Sequence, residues 1–442
     1  MAASSRSPES APRSGNAAFA SGGSADGTPA EPVIHDVLII GGGLVGSSLA
    51  IALEPLGITV GLVEAVAPGP SDASVFDQRN LSFAEATVNA LTALGVMQEL
   101  AAAGGPIRRI HVSRRGDFGR SVLEAAHHGR SEFGRVVVAR DFGDALGKRL
   151  AGLQRVRRYR PARFLGFADT AHSGCRAVRL ADADGERTVL ARLVVGADGT
   201  RSAVRGALGI GTSEHDYRQT LFVTRLRTDR APDGTAYERL GDDGPTALLP
   251  RGDRHYGLVH GVAREDAEAV AALDEAGFLQ RVQEAFGWRA GRFLSCGPRV
   301  AYPLVRVLAD RTVAERAVLV GNAAQTIHPL GAQGFNLGLR DALTLAELIS
   351  KARDASAAVD CGDAELLSAY VAARADDRRR TLEFSDGLAR VTANPSDLLR
   401  PLRSIGLLAI DRLPSLQAEV VAGALGYRAD VPALCRPDGL RP

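Results

Sequence analysis

The run Val37-Leu38-Ile39-Ile40 feeds directly into Gly41-Gly42-Gly43-Leu44-Val45-Gly46, and this junction constrains the fold more than any other stretch of the chain. Four consecutive apolar residues without alternation suit a strand covered on both faces, as in a parallel sheet. Leu44 to Leu56 then has helical character, and Thr59-Val60-Gly61-Leu62-Val63 reads as a second strand ending at Glu64. The whole is a βαβ unit of about 30 residues. Gly41 permits the tight turn, Gly43 lets backbone N–H groups approach a pyrophosphate, and Gly46 allows close helix–strand packing. The phosphates would sit at the positive end of the helix dipole. The Glu64 carboxylate can accept both ribose hydroxyls. By itself this motif does not separate FAD from NAD.

Two further glycine-bearing turns follow apolar strands. In Val194-Val195-Gly196-Ala197-Asp198-Gly199-Thr200-Arg201-Ser202-Ala203-Val204-Arg205, Asp198 can orient neighbouring N–H groups, while Arg201 and Arg205 are candidates to face phosphate. Alone, this segment reads better as a strand-terminating turn. The third runs from Gly321-Asn322-Ala323-Ala324-Gln325-Thr326-Ile327-His328-Pro329 through Leu330-Gly331-Ala332-Gln333-Gly334-Phe335-Asn336 to Asp341. Its small residues let a flat ligand lie on backbone, and N–H groups from Gly334 to Asn336 would point outward at a helix start. Pro329 fixes the turn and removes a donor.

The surrounding chain is of ordinary globular composition: 442 residues, 45% hydrophobic, 24% charged, net charge +2. So small a charge argues against a nucleic-acid partner. Cys175, Cys296, Cys361 and Cys435 are far apart with no CxxC pair. That disfavours a disulfide framework or a thiolate metal site and suits reduced thiols in the cytoplasm. No window of about 18 apolar residues is free of charge or helix breakers, so no transmembrane helix is expected. Residues 1–32, rich in Ala, Ser, Gly and Pro, read as a disordered tail without the apolar core of a secretory signal.

The expected fold class is α/β. A Rossmann-like lobe (33–205, resuming at 306–360) carries an inserted, mainly antiparallel substrate sheet (206–305) and C-terminal helices (361–442). Within it, Leu81–Leu100 and Asp141–Leu153 read as mainly helical, Val136–Ala139 as a strand, and Phe335–Lys351 as a helix. Ala177–Leu180 and Arg187–Val195 read as a hairpin around Asp184-Gly185.

The three motifs, in this order and spacing, resemble those of the group A flavoprotein aromatic hydroxylases, which share the p-hydroxybenzoate hydroxylase fold. The resemblance covers about residues 35 to 428. The second motif is similar to that family's DG motif and the third to its GD motif. Gly-Asn-Ala-Ala-Gln-Thr-Ile-His-Pro and Gln-Gly-Phe-Asn-Leu-Gly-Leu-Arg-Asp look most like the ubiquinone-biosynthesis branch, the 2-polyprenyl-6-methoxyphenol hydroxylases. The resemblance implies FAD as cofactor, contacted by Gly41, Gly43, Leu44, Val45, Gly46, Glu64, Ala65, Asp198, Gly321, Asn322, Pro329, Gly331, Ala332, Gln333, Gly334, Phe335 and Asn336. Arg79, in Phe76-Asp77-Gln78-Arg79-Asn80, and Arg140 resemble further FAD-side positions. It also implies the reaction: reduced FAD meets O2, and the distal oxygen of a flavin hydroperoxide passes to a phenol ring. The reductant would be NAD(P)H or an electron-transfer protein. The substrate would be a prenylated phenol, with other ubiquinone-biosynthesis proteins as possible partners.

Two departures stand out. Asn322 replaces the family's usual Asp, keeping an acceptor and adding a donor. The usual Ala-Gly before the Gln is reversed as Gly331-Ala332, which moves the position free to adopt positive φ by one residue. No catalytic base is selected: Tyr217, His255 or a water chain all remain open. His328 reads as a packed histidine bonding backbone rather than as an acid or base. Leu398 to Leu425, with Arg400, Arg403 and Arg412 among Leu and Ile, suits either a helix packed on the core or peripheral contact with the inner membrane. The rival readings are a hydroxylase of another phenol, a hydride-transfer flavoenzyme, and a non-catalytic subunit of a quinone-biosynthesis complex.

Overall fold

The computed structural model describes residues 33–66, 79–356, 359–392 and 400–437. The tail read at residues 1–32, Phe76-Asp77-Gln78 and Leu398 lie outside them.

The chain opens as the apolar run requires. Strand β1 (Ile34–Ile40) is sealed from Val37 onward and leads to helix α1 (Leu44–Leu53). Pro55 withholds a donor, so α1 tightens into a 3-10 turn that Gly57 closes. β2 (Val60–Val63) then lies parallel to β1.

Next come β3 (Asn80–Ala84), α2 (Glu85–Ala93), β4 (Gly105–Ile107), β5 (Arg109–Arg114), β6 (Arg120–Glu124), β7 (Gly134–Val138) and α3 (Ala139–Ala151). β3 corrects the helical reading from Leu81. Leu81 pairs with Val137 of β7, and Phe83 is fully buried against Phe142 and Phe335. A helix there would leave β7 without this partner, so tertiary pairing overrides local preference. Helix begins only at Glu85.

β8 (Val156–Tyr159) and the meander β9 (Arg163–Ala168), β10 (Arg176–Asp182), β11 (Gly185–Gly196) follow, with the hairpin turning at Asp184 as the sequence predicts. After α4 (Ala203–Ala207) come the long β12 (Thr212–Thr228), β13 (Thr235–Leu240), β14 (Thr246–Pro250), β15 (Tyr256–Ala263), α5 (Ala267–Ala272), α6 (Glu275–Phe286), β16 (Phe293–Cys296) and β17 (Val300–Ala309). The chain returns through β18 (Val313–Ala314), β19 (Ala317–Leu319) and β20 (Gln325–Thr326). It ends in α7 (Gln333–Ala355), α8 (Ala364–Thr392), α9 (Arg400–Arg412) and α10 (Pro414–Leu425).

One sheet runs β18-β19-β11-β1-β2-β8, with β19, β11, β1, β2 and β8 parallel. Its apolar face packs on α1, α3 and α7 through Ile39, Val195, Leu49, Phe142 and Leu339. The second sheet runs β20-β17-β12-β15-β14-β13-β5-β6 and is antiparallel except between β13 and β5. Hence β5 and β6, inside the 33–205 segment, belong to the antiparallel sheet, and β17 crosses the 305/306 boundary. The lobes interleave more than a linear division of the sequence suggests. Among the described residues, no helix is long and apolar enough to cross a membrane.

Candidate active site

The first turn is shaped by crowding. Gly41 has φ +114°, and a methyl group there would overlap the Ala197 carbonyl. A methyl at Gly46 would overlap the Gly41 carbonyl oxygen. At Gly43, by contrast, an added Cβ would meet nothing within 4 Å. Gly43 is the N-cap of α1, which has no side-chain cap and no acidic residue in its first turn. The helix start is therefore closed on its inner side and open on its outer side. Such a start favours an anion. Glu64 follows β2 beside Gly42, its Oε1 accepting from the Val66 N–H (3.0 Å), and Ala65 is exposed.

The other two motifs close on this one. The Ala197 N–H donates to the Ile40 carbonyl (2.8 Å), and the Val320 N–H to the Gly196 carbonyl (3.0 Å). A methyl at Gly321 would sit 3.2 Å from Val45 Cγ2, and one at Gly338 only 2.9 Å from Gly321 Cα. The hydroxyls of Thr200 and Thr326 are 2.8 Å apart. Three segments spread over about 300 residues thus meet as one site.

The Asp198 carboxylate accepts from Ser202 Oγ (2.5 Å) and from the Val204 N–H (3.1 Å), so it holds the start of α4. Arg205 does not face a phosphate site. It is buried, and its guanidinium donates to the carbonyls of Ala323 and Thr200, both 2.8 Å, clamping the second motif to the third. Arg201 is exposed.

In the third motif Gly321 has φ +59° and Asn322 is exposed. Leu330–Ala332 forms a 3-10 turn after Pro329, and the Ala332 N–H donates to the Pro329 carbonyl (2.7 Å). Both Gly331 (φ +71°) and Ala332 (φ +52°) are left-handed. The reversal therefore does not move the positive-φ position by one residue. It places an alanine in a conformation that costs it roughly 1–2 kcal/mol. Gln333 is buried and donates to the Gly331 carbonyl (3.1 Å), and α7 begins there, two residues before the predicted start.

Gly334 is nearly open, while Phe335 packs on Phe83 and Phe142. The Asn336 side chain is wholly engaged. It accepts from the Ala84 N–H and Thr87 Oγ1, and donates to the carbonyls of Ser82 and Ala332. Arg79 and Arg140 flank one junction, where the Ala139 N–H donates to the Arg79 carbonyl (2.9 Å). Both are half-buried, and Arg79 lies close enough to lower the pKa of Tyr302 on β17 against the rise that burial causes.

His328 is buried. Its Nδ1 accepts from the Leu330 N–H (3.2 Å), its carbonyl accepts from Ser385 Oγ (2.9 Å), and burial holds its pKa down at about 4. It is a neutral packing histidine. Tyr217 stacks edge-on against it at 4.7 Å and donates its hydroxyl to Asp386 (2.8 Å), which also pairs with Arg306 (3.0 Å). That leaves Tyr217 poorly placed to take a proton. His255 donates from Nδ1 to the Asp253 carbonyl (2.7 Å).

A buried ion network not evident in the sequence fixes the third motif from behind. Asp341 accepts from the Gly321 N–H (3.2 Å), Gln325 Nε2 (2.5 Å) and Arg374 Nε (2.8 Å). Asp377 binds Arg340 (2.7 Å) and Arg374 (2.7 Å). Burial alone would raise the Asp377 pKa, but Arg340 and Arg374 outweigh it and bring it to about 2. Arg340 and Asp341 were visible as the end of the motif. Their partners on α8 carry no local signature.

In front of the loop, Leu330 packs with Leu240, Val112 and Tyr217 of the antiparallel sheet. The open Gly43, the uncapped start of α1 and the loop leading to α7 thus fit a long ligand with phosphates at one end and a planar ring at the other. An FAD held by these residues would supply oxygen activation once reduced.

These features define an FAD-binding enzyme. The family model described as "FAD binding domain" matches residues 35–385, and the chain belongs to that family. It is 33% identical to the ubiquinone hydroxylase UbiL of Rhodospirillum rubrum, over 89% of this chain and 90% of that protein. It is 29% identical to the 3-demethoxyubiquinol 3-hydroxylase of Escherichia coli, over 88% of this chain and 98% of that protein. In fold it is similar to p-nitrophenol 4-monooxygenase PnpA of Pseudomonas putida, with a TM-score of 0.71 at 17% identity, covering 90% of this chain and 99% of that one. The chain is an FAD-dependent monooxygenase of the aromatic-hydroxylase type.

Proposed function

We propose that the protein hydroxylates the aromatic ring of a polyprenyl-methoxyphenol on the route to ubiquinone. The observation that carries this reading is the meeting of three glycine turns at one site, with the last of them packed against an antiparallel sheet. That geometry suits a flavin ring facing a flat substrate, and the relatives named for ubiquinone hydroxylation span nearly the whole chain. Gly41, Gly43, Leu44, Val45, Gly46, Glu64, Ala65, Arg79 and Arg140 would hold the adenosine and phosphate half. Asp198, Gly321 and Asn322 would face the ribityl chain, and Pro329 to Asn336 the ring. NAD(P)H or an electron-transfer protein would be the reductant.

A polyprenyl tail needs access to a membrane. Leu402 and Ile405 on α9, Leu413 between the helices and Leu416 on α10 are exposed, while Arg403 turns inward to Asp117 (3.4 Å) and is not a surface cation. The exposed side chains support peripheral contact of a cytoplasmic enzyme with the inner membrane. Replacing Leu402 and Ile405 by serine should reduce flotation with anionic vesicles and leave flavin content intact.

The deciding experiment is deletion of the gene followed by mass spectrometry of extracted lipids. The expected result is loss of ubiquinone and accumulation of a prenylphenol one ring oxygen short. An undisturbed quinone profile would remove the pathway assignment and favour another phenol as substrate.

A further inference from the structure

The antiparallel sheet has two unlike faces. Phe222, Leu226, Leu248, Tyr256 and Leu258 project to one side and are sealed beneath α6. The other side meets Leu330 of the flavin-ring motif through Leu240 and Val112. On β13 the alternation Ala236, Glu238, Leu240 points to this second side, because alternate residues of a strand share a face. Ala236 packs in an apolar cluster with Ile107 and Phe133, and Leu240 packs on Leu330. Glu238 lies between them, and its partners across the neighbouring strands are Val112 of β5 and Ala247 of β14. Beyond Ala247 the same row continues through Val259 and Val223.

Val112, Val223, Val259 and Glu238 are only half-buried although they occupy the middle of the sheet. Sealed residues surround them. This pattern marks an apolar hollow on the side of the sheet that faces the flavin-ring motif. Among the described residues Glu238 has no hydrogen-bond or ion-pair partner, and burial alone shifts its pKa. The charged and titratable groups on the elements around it are otherwise engaged. Arg114, two residues along β5 from Val112, is held by Asp117 and Asp242. Tyr217 is bonded to Asp386 and Arg306 to the same carboxylate, His328 is neutral, and Arg79 lies by Tyr302. A carboxylate kept without a partner in an apolar hollow is expensive, and such unpaired groups cluster where a ligand completes them.

We propose that Glu238 is the residue that takes the phenolic proton of the substrate. The inference rests on the reading of the substrate as a prenylated phenol. The phenolic O–H bond breaks, its electron pair stays on the phenol oxygen, and the proton forms an O–H bond with a Glu238 carboxylate oxygen. The phenolate pushes electron density into the ring carbon that is oxygenated. The inserted atom comes from O2 with two electrons from NAD(P)H or the donor protein, and the second oxygen leaves as water. When the ring carbon loses its hydrogen to solvent as a proton and aromaticity returns, Glu238 gives its proton back to the phenolate oxygen. Burial raises the Glu238 pKa to about 7, close to the value at which a general base is most effective near neutral pH. The surrounding valines and leucines would accept the apolar substituents.

The test uses the FAD-loaded full chain and a short-tailed 2-prenyl-6-methoxyphenol as probe. Wild type, Glu238→Gln, Glu238→Ala and Glu238→Asp are compared for product formation, for reductant lost to hydrogen peroxide, and for probe affinity by calorimetry across pH. The expected result is a fall in hydroxylation of roughly 10²-fold or more in Glu238→Gln. Bound flavin should be unchanged and more reductant diverted to peroxide. The acid limb of the wild-type profile, near pH 7, should vanish in Glu238→Gln and reappear in Glu238→Asp. If wild type hydroxylates the probe and Glu238→Gln does so within threefold and with the same pH profile, the assignment of Glu238 is overturned while the substrate reading stands. If wild type neither binds nor hydroxylates the probe, the substrate reading falls and takes this inference with it.

Discussion

The start of α1 and the start of α7 both present backbone N–H groups to the site, but they are built on opposite principles. At α1 the geometry is set by backbone packing: a side chain at Gly46 would strike the Gly41 carbonyl, and one at Gly41 would strike the Ala197 carbonyl of the second motif. At α7 it is borrowed. The loop from Pro329 to Ala332 contains two successive left-handed residues, one of them not glycine, and the motif around it is held by α8: Ser385 donates to the His328 carbonyl, and Arg374 binds Asp341, which in turn holds Gly321 and Gln325. A phosphate cradle can be specified by six residues. A ring-binding loop that must approach both cofactor and substrate is over-determined from behind instead, which is how strained backbone persists at working sites.

The comparison breaks most sharply at the glycines of α1. Gly46→Val should abolish folding or flavin binding outright, because its side chain would occupy the position of the Gly41 carbonyl. Gly43→Leu should leave far-UV circular dichroism near wild type, since the space beside it is open, yet give colourless protein. A yellow Gly43→Leu protein would mean that the phosphates do not lie at this helix start.

At α7 the corresponding break lies far from the loop in sequence. Asp377→Ala leaves Arg340 and Arg374 buried with half their compensation, a change that costs about 3–5 kcal/mol in comparable pairs. Thermal unfolding should fall steeply, and residual flavin should be released well below the wild-type melting temperature. Asp377 also ties this region to acid. Its folded pKa of about 2 is depressed below the unfolded value near 3.9, so its contribution is complete above pH 4 and is lost as pH falls from about 4 to 2.

A second acid sensitivity sets in first. His35, His111, His260 and His328 are buried, and burial lowers each pKa to about 4. These bases fold neutral, so the stability they contribute is whole above their unfolded pKa near 6.5 and drains as pH drops from 6.5 to 4. Melting temperature should therefore decline across that window before the carboxylates respond. A flat profile from pH 6.5 to 4 would show that these histidines are not sealed.

The two helix starts also differ in how far they could be read from the chain. The first motif, both its strands and Glu64 were legible because their sequence pattern lies within about 30 consecutive residues, although the Ala197 carbonyl that also crowds Gly41 does not. The third motif was legible as a turn opening a helix, but its anchors were not: Arg374 and Asp377 sit in a helix whose other arginines and aspartates look the same. Arg205 stood only as a candidate to face phosphate because sequence gives charge but not direction, and its guanidinium points inward to two carbonyls. Residues 81–84 were read as helix because their pairing partner lies about 50 residues away. Glu238 escaped notice because one acidic residue in a strand is ordinarily a solvated one, and only the packing of Leu240 on Leu330 shows which way it faces.

The smallest effect tests the strain itself. Ala332 sits at φ +52° and ψ +37°, where an alanine is disfavoured by roughly 1–2 kcal/mol and glycine is not. Glycine also loses more conformational freedom on folding, by up to about 1 kcal/mol. The net gain of Ala332→Gly should therefore be about 1 kcal/mol or less, read as a rise of a few degrees at most in melting temperature. The reverse placement, Gly331→Ala, puts a second side chain at φ +71° and should destabilise by a similar amount. If Ala332→Gly raised stability while slowing hydroxylation, the alanine would be holding the loop stiff for the ring it faces. If it changed neither, the loop's shape would be set by its anchors, the Ser385 bond to the His328 carbonyl among them.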